Sequence, residues 1–461
     1  MQDSAVVWFR RDLRVSDQPT FLAAAAAPRA LALFVLDDAL LRPSGAPRRT
    51  FLYRALRSLD ESLGGRLLVV RGDPADVVPR VAASVGAGTV HVAADFGPYG
   101  TRRDTAVEEA LAGDGRELVR SGSPYAVAPG RVRKADGEPF RVFTPFRRAW
   151  AQHGWRGPAD TDAATVRWID PDGVDTRPRR VPVPDDDPVD APLPEAAESA
   201  ARAQWSEFLE TAVDGYTEQR DRPDRPGTSR MSVHLKYGLI HPRTMLADLA
   251  PRRSESAQTY TTELAWRDFY ADVMHQRPDS ARHNYDRAFD ALPVATGAAA
   301  RADFDRWRSG RTGFPIVDAG MRQLREQAWM HNRVRMIVAS FLVKDLHLPW
   351  WWGARHFMQL LVDGDLPSNQ HGWQWIAGSG TDASPYFRVF NPITQGEKFD
   401  PDGEYVRRFV PELRGVPGRA VHQPWALPGG VPAGYPEPMV DHRAERLEAL
   451  ARYERVKAAR A

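Results

Sequence analysis

The sequence predicts an α/β amino-terminal domain built on a doubly wound parallel sheet, followed by an all-α carboxy-terminal domain. Three observations carry this. The first 125 residues alternate short apolar runs with helix-like segments, and helical patterns dominate from Trp205 onward. Between Gly157 and about Glu195 the composition turns to eight prolines and many aspartates, with few apolar residues. Alternation of strand and helix implies parallel strands joined by helical crossovers. A long proline-rich polar stretch reads as a connector rather than a packed element. The expected divisions are 1–130, a connector over 131–200, and 201–461.

The strands are expected at 5–9 (AVVWF), 30–36 (ALALFVL), 66–70 (RLLVV), 89–93 (TVHVA) and 117–119 (ELV). Each is short, apolar and uninterrupted, as strands covered on both faces must be. Helices fill 18–27, 48–63, 74–85 and 101–112 between them; later helical patterns run over 261–275 and 318–345, and 442–460 closes the chain as a charged helix. Phe9-Arg10-Arg11-Asp12 follows the first strand, so the G-x-G-x-x-G turn of a standard dinucleotide site is absent. Ligands of such sheets lie beyond the carboxyl ends of the strands.

At 461 residues the chain exceeds the ~250–300 at which one core stops growing, which makes two domains the prior. A hydrophobic content of 43% is ample for a globular protein. No run of ~18 apolar residues suggests a membrane span, and no signal peptide is visible at MQDSAVVWFRRD. Zero cysteines exclude disulfides, thiol catalysis and cysteine-ligated metals, and fit a cytoplasmic protein. A monomer without a metal is expected. The net charge of +2 is no nucleic-acid signature by itself. A DNA face would need its charge gathered, and Arg220, Arg222, Arg225 and Arg230 form one cluster, Arg322, Arg325, Arg333 and Arg335 another. Solvated helix faces are the plain alternative for each arginine.

Trp329–Pro401 is the most informative stretch. Six of the fourteen tryptophans fall between Trp329 and Trp375, among His331, Asn332, Arg333, Arg335, Asp363, Asp365 and Asn369. A core uses tryptophan sparingly because its N–H needs a partner. Aromatics among guanidiniums, carboxylates and amides suit a large flat ligand with a charged end; the alternative is a tightly packed helical core. Gly227-Thr228-Ser229-Arg230-Met231-Ser232 offers hydroxyls, amides and a cation to a phosphate, or serves as an ordinary N-cap. Glu263 and Trp266 share one helix face. They are a substrate pair or a surface acid beside a core aromatic. Asp363-Gly364-Asp365 reads as a turn or a weak cation site.

These motifs resemble, in order and over nearly the whole chain, those of the DNA photolyase and cryptochrome family: Glu263-Leu-Ala-Trp266-Arg267-Asp-Phe-Tyr, Trp329-Met-His-Asn-Arg-Val-Arg-Met336, and VDGDLPSNQHGWQW followed by PYFRVFNPITQGEKFDP. The branch they resemble is class I cyclobutane pyrimidine dimer photolyase. The resemblance implies an antenna-binding sheet domain and a helical FAD-binding catalytic domain. FAD is active as FADH⁻, and UV-damaged DNA carrying a flipped-out dimer is the substrate. Flipping is eased because dimerised bases stack poorly.

On this resemblance Tyr216, Thr228, Ser229, Arg230, Met231, Ser232, Tyr260, Arg267, Arg335, Asp363, Asp365 and Asn369 are cofactor-side. Asn369 falls beside flavin N5, and Asp363 or Asp365 pairs with Arg335. Tyr260 stands where many members have tryptophan. Arg220, Glu263, Trp266, Asn332, Arg333, Met336, Trp375, Arg388 and Gln395 are DNA- or substrate-side, and Glu263, Asn332, Met336 and Asn369 carry the catalytic roles. Trp373 and Trp350 match the first two members of an electron relay. The third would lie near Val294–Gly297, where there is no tryptophan. The relay then ends through another residue, such as Trp351 or Trp352, or photoreduction is weak.

Asp95-Phe-Gly-Pro-Tyr99-Gly100-Thr-Arg-Arg-Asp104 and Lys236 resemble the deazaflavin-using relatives rather than the folate users. This implies an 8-hydroxy-5-deazaflavin antenna near Phe34, Leu36, Asp37, Arg49, Asp95, Tyr99 and Lys236. An empty or FMN-filled pocket is the alternative. For the chain as a whole the rivals are a cryptochrome-type blue-light photoreceptor, a (6-4) photolyase, and a flavin-dependent dark oxidoreductase. The last finds no motif.

Overall fold

The five apolar runs become five parallel strands. The computed structural model describes residues 4–382 and 388–458. In it the strands are β1 (Ser4–Phe9), β2 (Ala30–Leu36), β3 (Leu67–Arg71), β4 (Ala87–Val92) and β5 (Glu117–Arg120). Their order is β3-β2-β1-β4-β5. Every residue of β1 and β2 is buried, which is why neither strand shows polar alternation. Val6 registers against Leu31 in β2 and Val90 in β4. The chain leaves β1 for β2 on one side and later returns to β4 on the other. The carboxyl ends of β1 and β4 therefore mark the switch point of the sheet.

The four expected helices are Pro19–Ala24, Ala46–Ser62, Pro74–Ser84 and Pro98–Gly113, and a short further one, Asp38–Leu41, follows β2. The second and fourth begin earlier than expected. Pro47 and Pro98 lie in their first turns, where a missing N–H costs nothing. The proline-rich connector does not hang free. The Ile169 amide donates to Ala30 O at 2.8 Å, and the Val181 amide donates to Val69 O at 2.8 Å.

The chain gathers into two compact units, one comprising residues up to Val189, Pro194–Asp214 and Ser229–Pro278, the other Asp190–Leu193, Gly215–Thr228 and Asp279 onward. The helices Phe143–His153, Glu198–Thr211 and Glu255–Gln276 group with the sheet in the first unit. Buried Asp268 shows why: it accepts the Val127 amide at 2.9 Å and the Trp150 indole N–H at 3.0 Å. Asp272 accepts the Gly130 amide at 2.6 Å. Gly238, at φ 70°, lies against the Arg11 backbone so closely that no Cβ would fit.

The second unit is helical around Trp307, Val317, Leu324, Val338, Phe341, Trp373 and Val406. The helical pattern expected over 318–345 is broken there. Pro315–Gln327 ends at Ala328 with φ 50°, a new helix runs Asn332–Ser340, and Phe341–Asp345 widens into a π turn. His331 restarts the helix by accepting the Arg333 amide on Nδ1 at 3.2 Å. Apolar spacing missed the break because Trp329 and Met330 keep the pattern in phase across it. Among the described residues no helix is long and apolar enough to cross a membrane.

Candidate functional site

In the first unit the long helix Glu255–Gln276 presents the expected residues. Glu263 and Trp266 are both half-buried. One face of the Trp266 indole stacks on Phe143, centroids 3.5 Å apart and planes within 9°. A ring so supported keeps one orientation, which a packing platform requires. Tyr260 is buried against Trp205 and Phe208, and its hydroxyl meets Ser229 Oγ at 2.7 Å. Gln204 donates to Ser229 O at 2.6 Å, and Arg230 adopts φ 53°. The Ser229–Ser232 tract is thus fixed, with Met231 buried and Ser232 exposed. Arg267 donates to Pro124 O at 2.7 Å and Leu235 O at 3.3 Å and lies over the Tyr125 ring. Its observed work is tying the helix to backbone.

In the second unit the break at Ala328 sets Asn332 and Arg333 in the first turn of their helix, with Asn332 exposed and Met336 half-buried one turn on. Arg333 forks onto Asp221 at 3.1 and 2.7 Å, lies over the Phe399 ring at 4.5 Å and meets Met336 Sδ at 3.7 Å. Arg335 holds buried Asp363 at 3.2 and 2.8 Å and donates to Met330 O at 2.8 Å. Asp365 begins the helix Leu366–Ala377 and accepts from Ser368 Oγ at 3.4 Å. From that helix Asn369 donates its amide nitrogen to Ala354 O at 3.1 Å and to Gln370 Oε1 at 2.9 Å.

Trp375 is half-buried and donates its indole N–H to Asp382 O at 3.2 Å. Arg220 lies over the Tyr216 ring at 5.7 Å. Arg388 is exposed, Gln395 is half-buried, and Thr228 precedes the unit boundary. Residues 385–387 of the PYFRVF motif lie outside the described residues.

Trp373 is buried against Phe357 and Trp307. Trp350 is buried, its N–H donated to Asn284 Oδ1 at 2.9 Å. Trp351 stands edge-on to it at 5.9 Å and is 38% exposed. The two arginine clusters are not a free cationic stripe. Arg222 pairs with Asp224, Arg322 with Glu412, Arg333 with Asp221 and Arg335 with Asp363.

At the switch point of the sheet, Tyr99 donates its hydroxyl to Asp37, which also caps the following helix through the Ala39 amide at 2.9 Å. Burial, reinforced by that carboxylate, pushes the phenol pKa up. Burial alone would raise the Asp95 carboxyl, but the guanidiniums of Arg103, Arg11 and Arg10 outweigh it and hold it near 2. Asp95 accepts from Arg103 at 3.1 Å, and its carboxylate lies where a Cβ on Gly100 would sit. Arg49 donates to Asp187 at 2.7 Å and also to Ser44 O. Phe34 and Leu36 are buried in β2, and Lys236 is half-buried.

Sequence reasoning missed Asp221, Phe143, Gln204 and Trp205, and it did not join Arg10 to Arg103 and Asp104 of the Asp95–Asp104 motif. For Arg10 the one signal was that Arg10-Arg11-Asp12 stands where a glycine turn was sought. The others lie far along the chain from the residues they hold. Among the described residues there is no group of three or more His, Cys, Asp or Glu that could hold a metal.

A doubly wound sheet with a switch-point cluster, together with a helical unit rich in paired arginines and aromatics, has clear counterparts. Residues 5–165 match the DNA photolyase family and residues 260–455 the FAD binding domain of DNA photolyase. The deoxyribodipyrimidine photo-lyase of Streptomyces griseus is 43% identical over 469 residues, 98% of this chain and 99% of its own. Among solved structures, a class III photolyase from Agrobacterium tumefaciens is similar with TM-score 0.87 and 36% identity, over 99% of this chain and 98% of its own. A photolyase from Sulfolobus tokodaii, solved with two FAD molecules, gives 0.83 and 28%, over 98% and 100%. A Synechocystis cryptochrome gives 0.88 and 26%, over 97% and 98%. The chain belongs to the DNA photolyase family and is an enzyme of it.

Proposed function

We propose that this enzyme splits cyclobutane pyrimidine dimers in UV-damaged DNA by a light-driven electron transfer, in the manner of class I photolyases. The observation that carries the reading is the substrate-side set. Glu263 stands beside an indole fixed by Phe143, and Asn332, Arg333 and Met336 are gathered on one helical turn with Arg333 locked by Asp221. The fold alone does not choose between repair enzyme and photoreceptor, since a cryptochrome shares it.

The donor set suits FAD. Thr228, Ser229, Arg230 and Ser232 offer hydroxyls and a cation for a pyrophosphate. Arg335 with Asp363 supplies a polar pair for the ring, and Tyr216 and Asp365 complete the set. With its nitrogen tied to Ala354 O, Asn369 keeps its carbonyl as the acceptor for a flavin N5–H. Bound FAD, in its reduced form, supplies the electron that light promotes; the protein orients it. Glu263 hydrogen-bonds the flipped base edge, Trp266 packs on its face, and Asn332, Met336, Trp375 and Gln395 line the remaining contacts. Arg220, Arg333 and Arg388 meet phosphates. Trp350 and Trp373 belong to the relay that reduces the flavin, and Trp351 is the surface-exposed indole in contact with Trp350.

Light-dependent disappearance of a thymine dimer from an oligonucleotide tests the reading. Loss of (6-4) products instead, or no loss, overturns it. Glu263→Ala should keep flavin absorbance and weaken dimer binding by ~1–3 kcal/mol, the worth of a buried hydrogen-bond partner. For the antenna we propose 8-hydroxy-5-deazaflavin, supported by Tyr99-Gly100 in place of a folate-holding pair and by Lys236. Stoichiometric uptake of methenyltetrahydrofolate with none of the deazaflavin would overturn that assignment.

A further inference from the structure

The helix that carries Asn332, Arg333 and Met336 does not end in an ordinary cap. Its last turn runs into the π turn Phe341–Asp345. Such turns insert a residue, re-aim the side chains around it, and concentrate at functional sites. Here the re-aimed residue is Lys344, only 4% exposed, whose ammonium donates to the backbone carbonyl of Arg388. One turn earlier, buried Ser340 accepts the amide of Phe390 on its hydroxyl at 3.3 Å. The short run Arg388-Val389-Phe390 is therefore tied at both ends to the same stretch of helix. Phe390 packs against the helical core, and Asn391 then caps the helix Pro392–Phe399 through the Ile393 amide at 2.9 Å. That helix carries Gln395.

A lysine is an expensive way to fill space. Burial pushes its amine down to about 7, opposed by neighbouring Asp345. Methionine or leucine would fill the volume without desolvating a charge. What lysine adds is a long reach ending in a donor, and that donor meets the carbonyl of the residue whose guanidinium is exposed. Asp345 is in turn engaged by His442 from the closing helix, so the turn that presents Lys344 is braced from behind.

We propose that Lys344 is a positioning residue for DNA binding. By holding the Arg388 carbonyl, and with Ser340 holding Phe390, it sets where the Arg388 guanidinium is offered to a phosphate. The inference rests on the reading of Arg388 as a DNA contact. The same geometry accounts for a cation buried behind an exposed one: the inner charge orders backbone and the outer one meets the ligand.

The test uses the full-length flavin-loaded enzyme and a fluorescein-labelled duplex carrying one thymine dimer, with its undamaged twin. Flavin absorbance and the thermal midpoint check folding. Lys344→Met should raise Kd about tenfold and flatten the log Kd versus log[salt] slope by about one unit. Dimer loss per flash at saturating DNA should stay at the wild-type rate. Arg388→Ala should likewise raise Kd and flatten the salt slope, and the double variant should bind no worse than either, because the two act through one contact. Lys344→Arg, which keeps a donor, should recover part of the affinity.

Additive losses in the double variant, an unchanged salt slope, or a fall in the saturating rate with Kd intact would overturn the proposal. If Lys344→Met does not fold, Ser340→Ala decides. It should shift Kd in the same direction by a smaller factor and add nothing to Arg388→Ala; an additive or absent shift overturns the proposal. If Arg388→Ala changes neither Kd nor slope, the reading of Arg388 has failed. If Arg388→Ala weakens binding and Lys344→Met does not, only the positioning role has failed.

Discussion

The two units of this enzyme use arginine in opposite ways. At the switch point of the sheet, Arg10 and Arg103 are 9% and 6% exposed in their side chains and share Asp104, with Asp95 completing the cluster. Both guanidiniums also lie over the Trp8 ring. In the helical unit Arg333 and Arg335 remain 20% and 26% exposed although each is held bidentate or nearly so by one carboxylate. The first arrangement is closed: its charges answer one another and nearby backbone, Arg10 donating to Ala93 O and Asp95 accepting the Gly97 amide. The second is half-open: one edge of each guanidinium is fixed and the other is offered outward. A pre-aimed arginine loses less side-chain freedom when a phosphate or flavin arrives. A chain of net charge +2 can in this way still present cationic groups locally. A net charge sums over pairs that act locally.

The contrast can be broken at several points. The largest effect is expected at Arg335. Arg335→Ala leaves Asp363, 2% exposed in its side chain, without that partner in the interior. Removing one member of such a pair costs about 3 kcal/mol. The denaturation midpoint should fall accordingly and flavin be lost on purification; Arg335→Lys should recover only part, because a point charge cannot fork. An unchanged midpoint would place this pair with the ordinary surface salt bridges.

The closed cluster should show itself through pH rather than ligand. The Asp95 carboxyl is held near 2, below its usual value of 3.8. Between those values the unfolded chain binds more protons than the folded one, so the stabilisation is complete above pH 4 and fades as pH falls toward 2. Asp95→Asn should therefore flatten the acid limb of a stability–pH profile, by about 1–2 kcal/mol between pH 5 and 2. At pH 7 DNA affinity should stay at the wild-type value. A change in DNA binding would blur the distinction drawn here.

The smallest expected effect is at Tyr99. Tyr99→Phe removes the hydroxyl donated to Asp37 and should lower stability by about 1 kcal/mol. Deazaflavin binding to the purified protein, read by its blue absorbance, should weaken while FAD is retained. Loss of FAD together with the antenna would show that the sheet cluster reaches further than its own unit.

Much of the fold was legible because its signals are local. Five apolar runs became strands, those of β1 and β2 buried throughout and the edge strand β5 partly exposed, and the four patterned segments between them became helices. Two helix starts were placed late where proline lies in the first turn, in the helices that begin at Ala46 and Pro98. The break at Ala328 was invisible because apolar spacing measures phase, and phase survives a short loop. Motif order placed the candidate residues in sequence, but no motif recorded that the Arg267 guanidinium donates to Pro124 and Leu235 backbone.

The sequence by itself determined the strand and helix content, the parallel sheet, the family likeness, and which residue types could meet a flavin or a damaged base. Only the tertiary structure decided what holds those residues. Asp221 reaches Arg333 across 112 positions, Asp363 reaches Arg335 across 28, and Phe143 comes under Trp266 from a stretch expected to be connector. It also decided that the helices Glu198–Thr211 and Glu255–Gln276 group with the sheet. The physical reason is range. Propensity, capping and apolar period act within a few residues, whereas a carboxylate's choice of guanidinium depends on where the folded backbone brings each of many candidates. No local pattern records that choice.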